Sequence, residues 1–264
     1  MKIPELKNIP ELKMTDSLSP EYIIVLDAET TGLDHESDEI IELSMVMIDY
    51  DMNILYYKQY YNQPSSPIPQ EIKDITNDMV SGHDITDDIT NSEIHNLLSG
   101  ADFIIAHNAE FDRAFIDRYF ADLNIPWVCS LKDIDWKGNG IYGSKLENLL
   151  MLYGYRYEAH SALNDCNALY HMIKSYDILD ELIKVSKSDC YKISVDRPNY
   201  DDNESFYKLG MVWHSETKSR YSILDDKEKA NKLYQDIKAL GYSKERIDTN
   251  IIKPIDRHRK WVND

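Results

Sequence analysis

Five side chains, drawn from three separated stretches of a 264-residue chain, have the types and spacing to bind hard cations and to move a proton. Asp27 and Glu29 flank Ala28 at the end of an apolar, β-branched run, 22–26. On a strand alternate residues point to the same face, so the two carboxylates project together into one site, an arrangement suited to ligating a metal ion. Asp-x-Glu alone is a weak signal in so acidic a chain, because it recurs from Asp34, Asp202 and Asp226. Those three copies lie in polar, turn-like text and read as solvated surface pairs. Only the first follows a buried strand.

The second stretch runs through Ala106, His107, Asn108, Ala109, Glu110, Phe111 and Asp112, where a strand passes into a helix. Asn108 and Asp112 are four apart and on a helix would share a face, bringing a third carboxylate beside the first two. A plainer reading stays open, with Asn108 as the helix cap and Asp112 as a surface acid. The third stretch holds His160 and Asp165. Asp165 falls one turn into a helix and His160 in the loop ahead of it, so the acid can bind a cation while the imidazole reaches an attacking water. An imidazole ordinarily titrates near neutrality, which suits it to accept a proton. The same spacing occurs from His83 to Asp88, in a polar loop that reads as surface, and from His107 to Asp112, where His107 reads as positioning its turn.

The elements that must position these residues follow from apolar periodicity. Residues 22–30, 40–50 and 54–61 read as three strands of an antiparallel meander, with Asp51, Met52 and Asn53 as the turn between the second and third. A loop follows over 64–69, then helices over 70–75 and 89–98. A fourth strand is predicted over 101–107 and a fifth over 127–131, separated by a helix over 109–122 that turns Phe111, Phe115, Ile116 and Tyr119 to the core. Two further helices are expected over 144–153 and 161–179. Together these make an α/β domain over 21–182. Ahead of it, 1–20 contains a repeat, Ile-Pro-Glu-Leu-Lys from Ile3 and again from Ile9, which reads as a flexible leader or a partner-docking strip. Behind it, 183–204 reads as a polar linker. A small α+β C-terminal unit is expected over 205–264: a hairpin of 209–214 with 220–224, then a helix capped by Asp225 with Glu228 as its capping-box partner and Gly241 as its stop.

Taken in register, the three stretches resemble the exonuclease motifs of the DnaQ-like DEDDh family: Asp-x-Glu, then Asn-x-x-Phe-Asp in Asn108, Phe111 and Asp112, then His-x-Ala-x-x-Asp from His160. Thr30-Thr31-Gly32-Leu33, Ile41-Glu42-Leu43, Trp127-Val128-Cys129-Ser130 and Lys145-Leu146-Glu147 are similar to segments of that family as well. Ser161 stands where many members carry Arg. The resemblance covers about 22–179. It implies an RNase H-like mixed five-stranded sheet flanked by helices, and 3′→5′ exonuclease activity on nucleic-acid ends. It also implies two cations, Mg²⁺ or Mn²⁺, per site. Asp27 would bridge both, Glu29 and Asp165 would hold the one that activates water, Asp112 would help place the second, and His160 would accept the proton. Thr30, Thr31, Gly32, Leu33, His107, Asn108 and Phe111 are the substrate-binding positions it implies. The motifs do not separate DNA from RNA. DNA is the expectation, an exoribonuclease or a catalytically silent nucleic-acid-binding module the alternatives, and a polymerase or other replication or repair protein the expected partner.

Charge constrains this reading. The net charge is −18, and it is uneven: residues 1–180 carry −20 and residues 181–264 carry +2. Tight, salt-resistant binding to long duplex is not expected of such a body, whereas divalent cations would supply a positive field locally. Arg257, His258, Arg259 and Lys260 beside Trp261 form a basic cluster able to grip phosphate and stack a base. No apolar run approaches the ~20 residues of a membrane-spanning helix, so no membrane partner is expected. Three cysteines, none in a CxxC pair, point to reduced thiols and a cytoplasmic setting.

Overall fold

The computed structural model describes residues 1–4, 6, 10, 11, 21–69, 72, 74–215 and 217–259, and the chain divides into two compact units, Met1–Ser186 and Lys187–Asp264. In the first, β1 (Ile23–Thr30), β2 (Ile40–Ile48) and β3 (Ile54–Tyr61) form the expected antiparallel meander. Its β2–β3 turn is tied by Asp49, whose Oδ1 accepts the Asn53 N–H at 2.8 Å, while Met52 takes a left-handed φ of 61°. A short α1 (Asn77–Val80) and α2 (Asp88–Gly100) lead into β4 (Phe103–Ala106), which lies parallel to β1. After α3 (Ala109–Tyr119), β5 (Trp127–Cys129) lies parallel to β4. Then come α4 (Leu146–Leu152), α5 (Ala162–Tyr176) and α6 (Leu179–Lys187). Among the described residues this is a mixed five-stranded sheet in the order β3-β2-β1-β4-β5.

Period-two alternation along β1 decides which face carries the chemistry. Ile24, Leu26 and Ala28 pack with Ile94 and Leu98 of α2 and Phe115 and Ile116 of α3. Ile23 and Val25 pack on the opposite face with Leu149 of α4 and Leu169, Met172 and Ile173 of α5. Asp27 and Glu29 continue this second row, toward α5. The four residues Ile23, Ile24, Val25 and Leu26 are fully buried. At ~1.5–3 kcal/mol for each buried aliphatic side chain, the strand is anchored firmly enough to carry repelling carboxylates at its end.

The structure departs from the sequence-based expectation in several places. Ile72 and Ile75 are not helical; they lie three apart because Ile75 packs with Ile41, Ile68 and Val80, a spacing that mimics a helix, and the helix itself starts only after Thr76, which caps the Met79 N–H. Gln70, Glu71 and Lys73 lie outside the described residues. The helix expected over 161–179 ends at Asp177, in a left-handed φ of 54°, and α6 begins two residues later. The leader is not loose where it is described. Ile3 is buried, its N–H donates to the Arg156 carbonyl at 3.1 Å, and Arg156 N–H donates to the Met1 carbonyl at 2.8 Å. Prolines exclude a helix but not extended pairing of this kind, and Asn167 donates to the Pro4 carbonyl. Half of the repeat lies outside the described residues.

The supposed linker 183–204 is also ordered structure. It contains the end of α6, β6 (Cys190–Asp196) and the first residues of α7 (Asn203–Lys208). In the second unit β7 (Val212–His214) and β8 (Ser219–Leu224) make the expected hairpin, followed by α8 (Lys227–Ala239) and β9 (Ile247–Ile252). Among the described residues these strands form one antiparallel sheet, β7-β8-β6-β9, with α8 packed on it. Alternation in β6 buries Ile193 and Val195 under the helix and leaves Lys192 and Ser194 on the other face, so a half-polar strand reads as a linker. The helix cap is Asp226, which accepts the Lys229 N–H at 2.8 Å, one residue later than expected. Arg257 of the basic cluster is buried and donates to the Ser188 carbonyl at 3.1 Å, which removes it as a phosphate grip. Lys260 and Trp261 lie outside the described residues.

Candidate active site

Asp27 and Glu29 of β1 and Asp165 of α5 offer carboxylate oxygens that all lie within 4.8 Å of one another, each residue partly open to solvent. Two residues of one strand and one of the helix on the same face therefore converge where β1 ends. The electrostatics are adverse: burial, then Asp112, Asp165, Glu29 and Glu42, hold the Asp27 carboxyl well above its ordinary range. Burial, then Asp165 and Glu42, push Glu29 up to about 7. Register adds to this, because Glu29 sits directly opposite Glu42 on β2, and like charges in that relation destabilise a sheet. A site that keeps such a cluster is fitted for cations. Its donors are all oxygens, which suits Mg²⁺, Mn²⁺ or Ca²⁺ better than zinc.

Asp112 joins the site from the other side of β1. The chain reverses sharply between β4 and α3 through Asn108, whose φ of 79° is left-handed, a conformation asparagine tolerates. Asn108 occupies the cap position yet makes no side-chain cap hydrogen bond. The reversal turns Asp112 inward, 3% exposed, and its Oδ1 accepts the Ala28 N–H at 3.1 Å, between the two β1 acids. Burial pushes its carboxyl up to about 8 despite that bond. Asp112 is thus no surface acid, although it stands outside the tight trio. His107 faces inward; its Nδ1 lies 2.8 Å from Ser130 Oγ and burial lowers its pKa to about 4, so it braces β4 against the end of β5 as a neutral ring.

His160 is exposed, with a left-handed φ of 73°, just ahead of α5. Its backbone N–H donates to Asp165 Oδ2 at 3.0 Å, and Tyr157 Oη donates to Asp165 Oδ1 at 2.8 Å. Both oxygens of Asp165 are therefore held, and burial still keeps its carboxyl raised while the His160 ring and these bonds pull it down. His160 itself is exposed, and its ring acts electrostatically on Asp165.

The remaining expected positions divide. Thr30 donates to the Gly32 carbonyl at 2.6 Å and Thr31 Oγ1 accepts the Glu39 N–H at 2.9 Å, so both threonines stiffen the loop. At Gly32 a Cβ would meet Asp38 Oδ2 at 2.4 Å. That loop presents Leu33 at 87% exposure, while Phe111 is half-buried with its ring 5.1 Å from Phe115. The other Asp-x-Glu pairs and His83 fall elsewhere, in turns and helix starts. Two site residues carry weak sequence signals. Glu42 is legible as the lone charge in a strand that is apolar apart from it and Ser44, and Tyr157 has no signal beyond its nearness to His160.

Comparison with known proteins supplies independent information. A family model described as Exonuclease matches residues 24–173. DNA polymerase III subunit epsilon of Aquifex aeolicus is 27% identical over 204 residues, 71% of this chain and 96% of that protein. DNA polymerase III PolC-type of Staphylococcus saprophyticus is 30% identical over 201 residues, 67% of this chain but 13% of that protein, so the chain spans only a small part of the PolC-type relatives it matches. Among solved structures, E. coli exonuclease I in complex with a dA16 oligonucleotide superposes with a TM-score of 0.55 at 14% identity, covering 86% of this chain and 69% of the other. That likeness bears on the fold.

Proposed function

The chain belongs to the DnaQ-like exonuclease family of phosphodiester hydrolases, and we propose from that premise that it removes nucleotides one at a time from 3′ ends, with single-stranded DNA as its substrate. The observation that carries the reading is the convergence of Asp27, Glu29 and Asp165 within 4.8 Å beside His160. Asp27, Glu29 and Asp165, with Asp112, would hold two Mg²⁺ or Mn²⁺ ions. When bound, such ions neutralise the carboxylates, activate water and relieve the leaving oxygen of charge.

The chain's own residues do the rest. His160 accepts the proton of the attacking water at its exposed ring. Tyr157 and the His160 N–H keep both Asp165 oxygens oriented, so the acid and the base are held as one unit. Thr30, Thr31 and Gly32 fix the loop that offers Leu33 to the terminal nucleotide. The acidic body then matters less for affinity, because the positive field at the scissile phosphate comes with the cations.

DNA is favoured over RNA by the relatives, one a DNA polymerase III subunit and one solved with a dA16 oligonucleotide. The relative that is a DNA polymerase III subunit supports a polymerase or another replication or repair protein as partner. Matched DNA and RNA oligonucleotides, single- and double-stranded, incubated with Mg²⁺ or Mn²⁺, test the substrate. The reading expects the largest kcat/KM on single-stranded DNA; a larger value on RNA would reassign it.

A further inference from the structure

Glu42 has no part in the reaction just described, yet it is 1% exposed in the middle of β2 and lies opposite another acid, Glu29. A buried carboxylate is costly unless it is hydrogen-bonded, so the question is what this one holds. Its Oε1 accepts Gln59 Nε2 at 2.8 Å, and three further donors approach the same oxygen at 3.3 Å: Ser44 Oγ, Ser161 Oγ and the Leu163 N–H. Two of these, from Ser161 and Leu163, belong to the start of α5.

That helix start lacks something. Ser161 is its N-cap but makes no side-chain cap hydrogen bond, leaving first-turn N–H groups to be satisfied from elsewhere. Glu42 reaches one of them, the Leu163 N–H, from the sheet. Gln59 on β3 steadies the carboxylate, its amide bonded in turn to Tyr61 Oη at 3.0 Å. The turn that carries His160 therefore has two anchors, Asp165 from within the helix and Glu42 from β2.

We propose that Glu42 is a positioning residue for His160: it caps α5 from outside the helix, pins Ser161, and so fixes the left-handed turn that aims the neighbouring imidazole. This rests on the reading of His160 as proton acceptor. The Glu42 charge is not what matters, but its oxygen is, and the conservative amide should therefore suffice.

The test uses Glu42→Gln and Glu42→Ala, each alone and combined with His160→Ala, in the full chain. Single-turnover and steady-state rates on a labelled dT12 oligonucleotide are measured with Mn²⁺, alongside Mn²⁺ binding by electron paramagnetic resonance and circular dichroism. Glu42→Gln should stay within about threefold of the parent kcat, since its oxygen accepts the same bonds. Glu42→Ala should lose ~10–100-fold in kcat, as a displacement of order 1 Å costs, with KM and Mn²⁺ affinity changed less than about twofold. In the His160→Ala background the same substitution should add less than about threefold, because the group it positions is gone. An undiminished kcat in Glu42→Ala overturns the proposal. So does equal loss in both backgrounds, and so does a Glu42→Gln variant as slow as Glu42→Ala with weakened Mn²⁺ binding, which would make Glu42 a charge for the cations. If Glu42→Ala does not fold, Glu42→Asp, with its carboxylate drawn back by one methylene, takes its place in the same comparisons. Parent-like turnover in His160→Ala alone would sink the His160 reading and this proposal with it, whereas a slow His160→Ala beside a fast Glu42→Ala sinks only the proposal.

Discussion

Replacing Glu29 by Gln should stabilise the cation-free protein at pH 8 while destroying turnover. The fold raises the Glu29 carboxyl from 4.5 to about 7, through burial first and then Asp165 and Glu42. A raised carboxyl means that the folded chain prefers the protonated form. Its favourable contribution is complete below pH 4.5 and is lost as pH rises through about 7. At 1.36 kcal/mol per unit the loss by pH 8 approaches ~3 kcal/mol. Glu29 is partly open to solvent, so screening reduces this to about half, ~1.5 kcal/mol. For a unit of this size ~1.5 kcal/mol corresponds to roughly 3–6 °C in Tm. Thermal unfolding in EDTA should therefore place Glu29→Gln above the parent by that margin at pH 8 and level with it at pH 4.5. Saturating Mg²⁺ should narrow or reverse the gap at pH 8, since the parent gains more from a ligand that binds only the folded state. A variant no more stable than the parent at pH 8, or equally displaced at both pH values, would refute the electrostatic reasoning.

Asp165→Asn should abolish hydrolysis with the fold intact, because the amide keeps the volume and one acceptor; activity within tenfold of the parent, in protein of unchanged circular dichroism, would remove Asp165 from the ligand set. His160→Ala should lower kcat by ~10²–10⁴-fold with little effect on KM, and a change confined to KM would contradict the proton-acceptor role. A chain ending at Ser186 should remain folded and keep its kcat on short oligonucleotides, because Met1–Ser186 contains all five candidate residues and its own core. Loss of kcat in that folded truncation would assign the second unit a part in the chemical step.

The architecture of the first unit is readable in the sequence because β1 is apolar until it ends in charge and β2 is apolar apart from Glu42 and Ser44. Asp27, Glu29 and Asp165, which the structure brings together, are readable for a related reason: buried strands and strand-to-helix turns leave few positions where acids can converge, and only one Asp-x-Glu in the chain follows such a strand. Legibility fails where burial is one-sided or tertiary. β6 alternates Ile193 and Val195 with Lys192 and Ser194, and reads as polar text until α8 covers one face. Ile3 looks like part of a loose leader until Arg156, more than 150 residues away, pairs beside it. Arg257 looks like a surface cation and is instead a buried brace for the Ser188 carbonyl. Asn108 shows the subtler case: its position at the helix start is legible, but its left-handed backbone, which turns Asp112 inward, is a demand of the β4–α3 geometry.

Direction and metal dependence together test the central claim most directly. A 5′-labelled single-stranded DNA oligonucleotide should be incubated with the parent and with Asp27→Asn, in EDTA and in Mg²⁺ or Mn²⁺, and the products resolved to single-nucleotide steps. The account predicts no cleavage in EDTA, a label-retaining ladder that shortens one nucleotide at a time when either cation is added, and no ladder from Asp27→Asn. Release of the label as a mononucleotide, internal cleavage, or activity that persists in EDTA or in Asp27→Asn would contradict it.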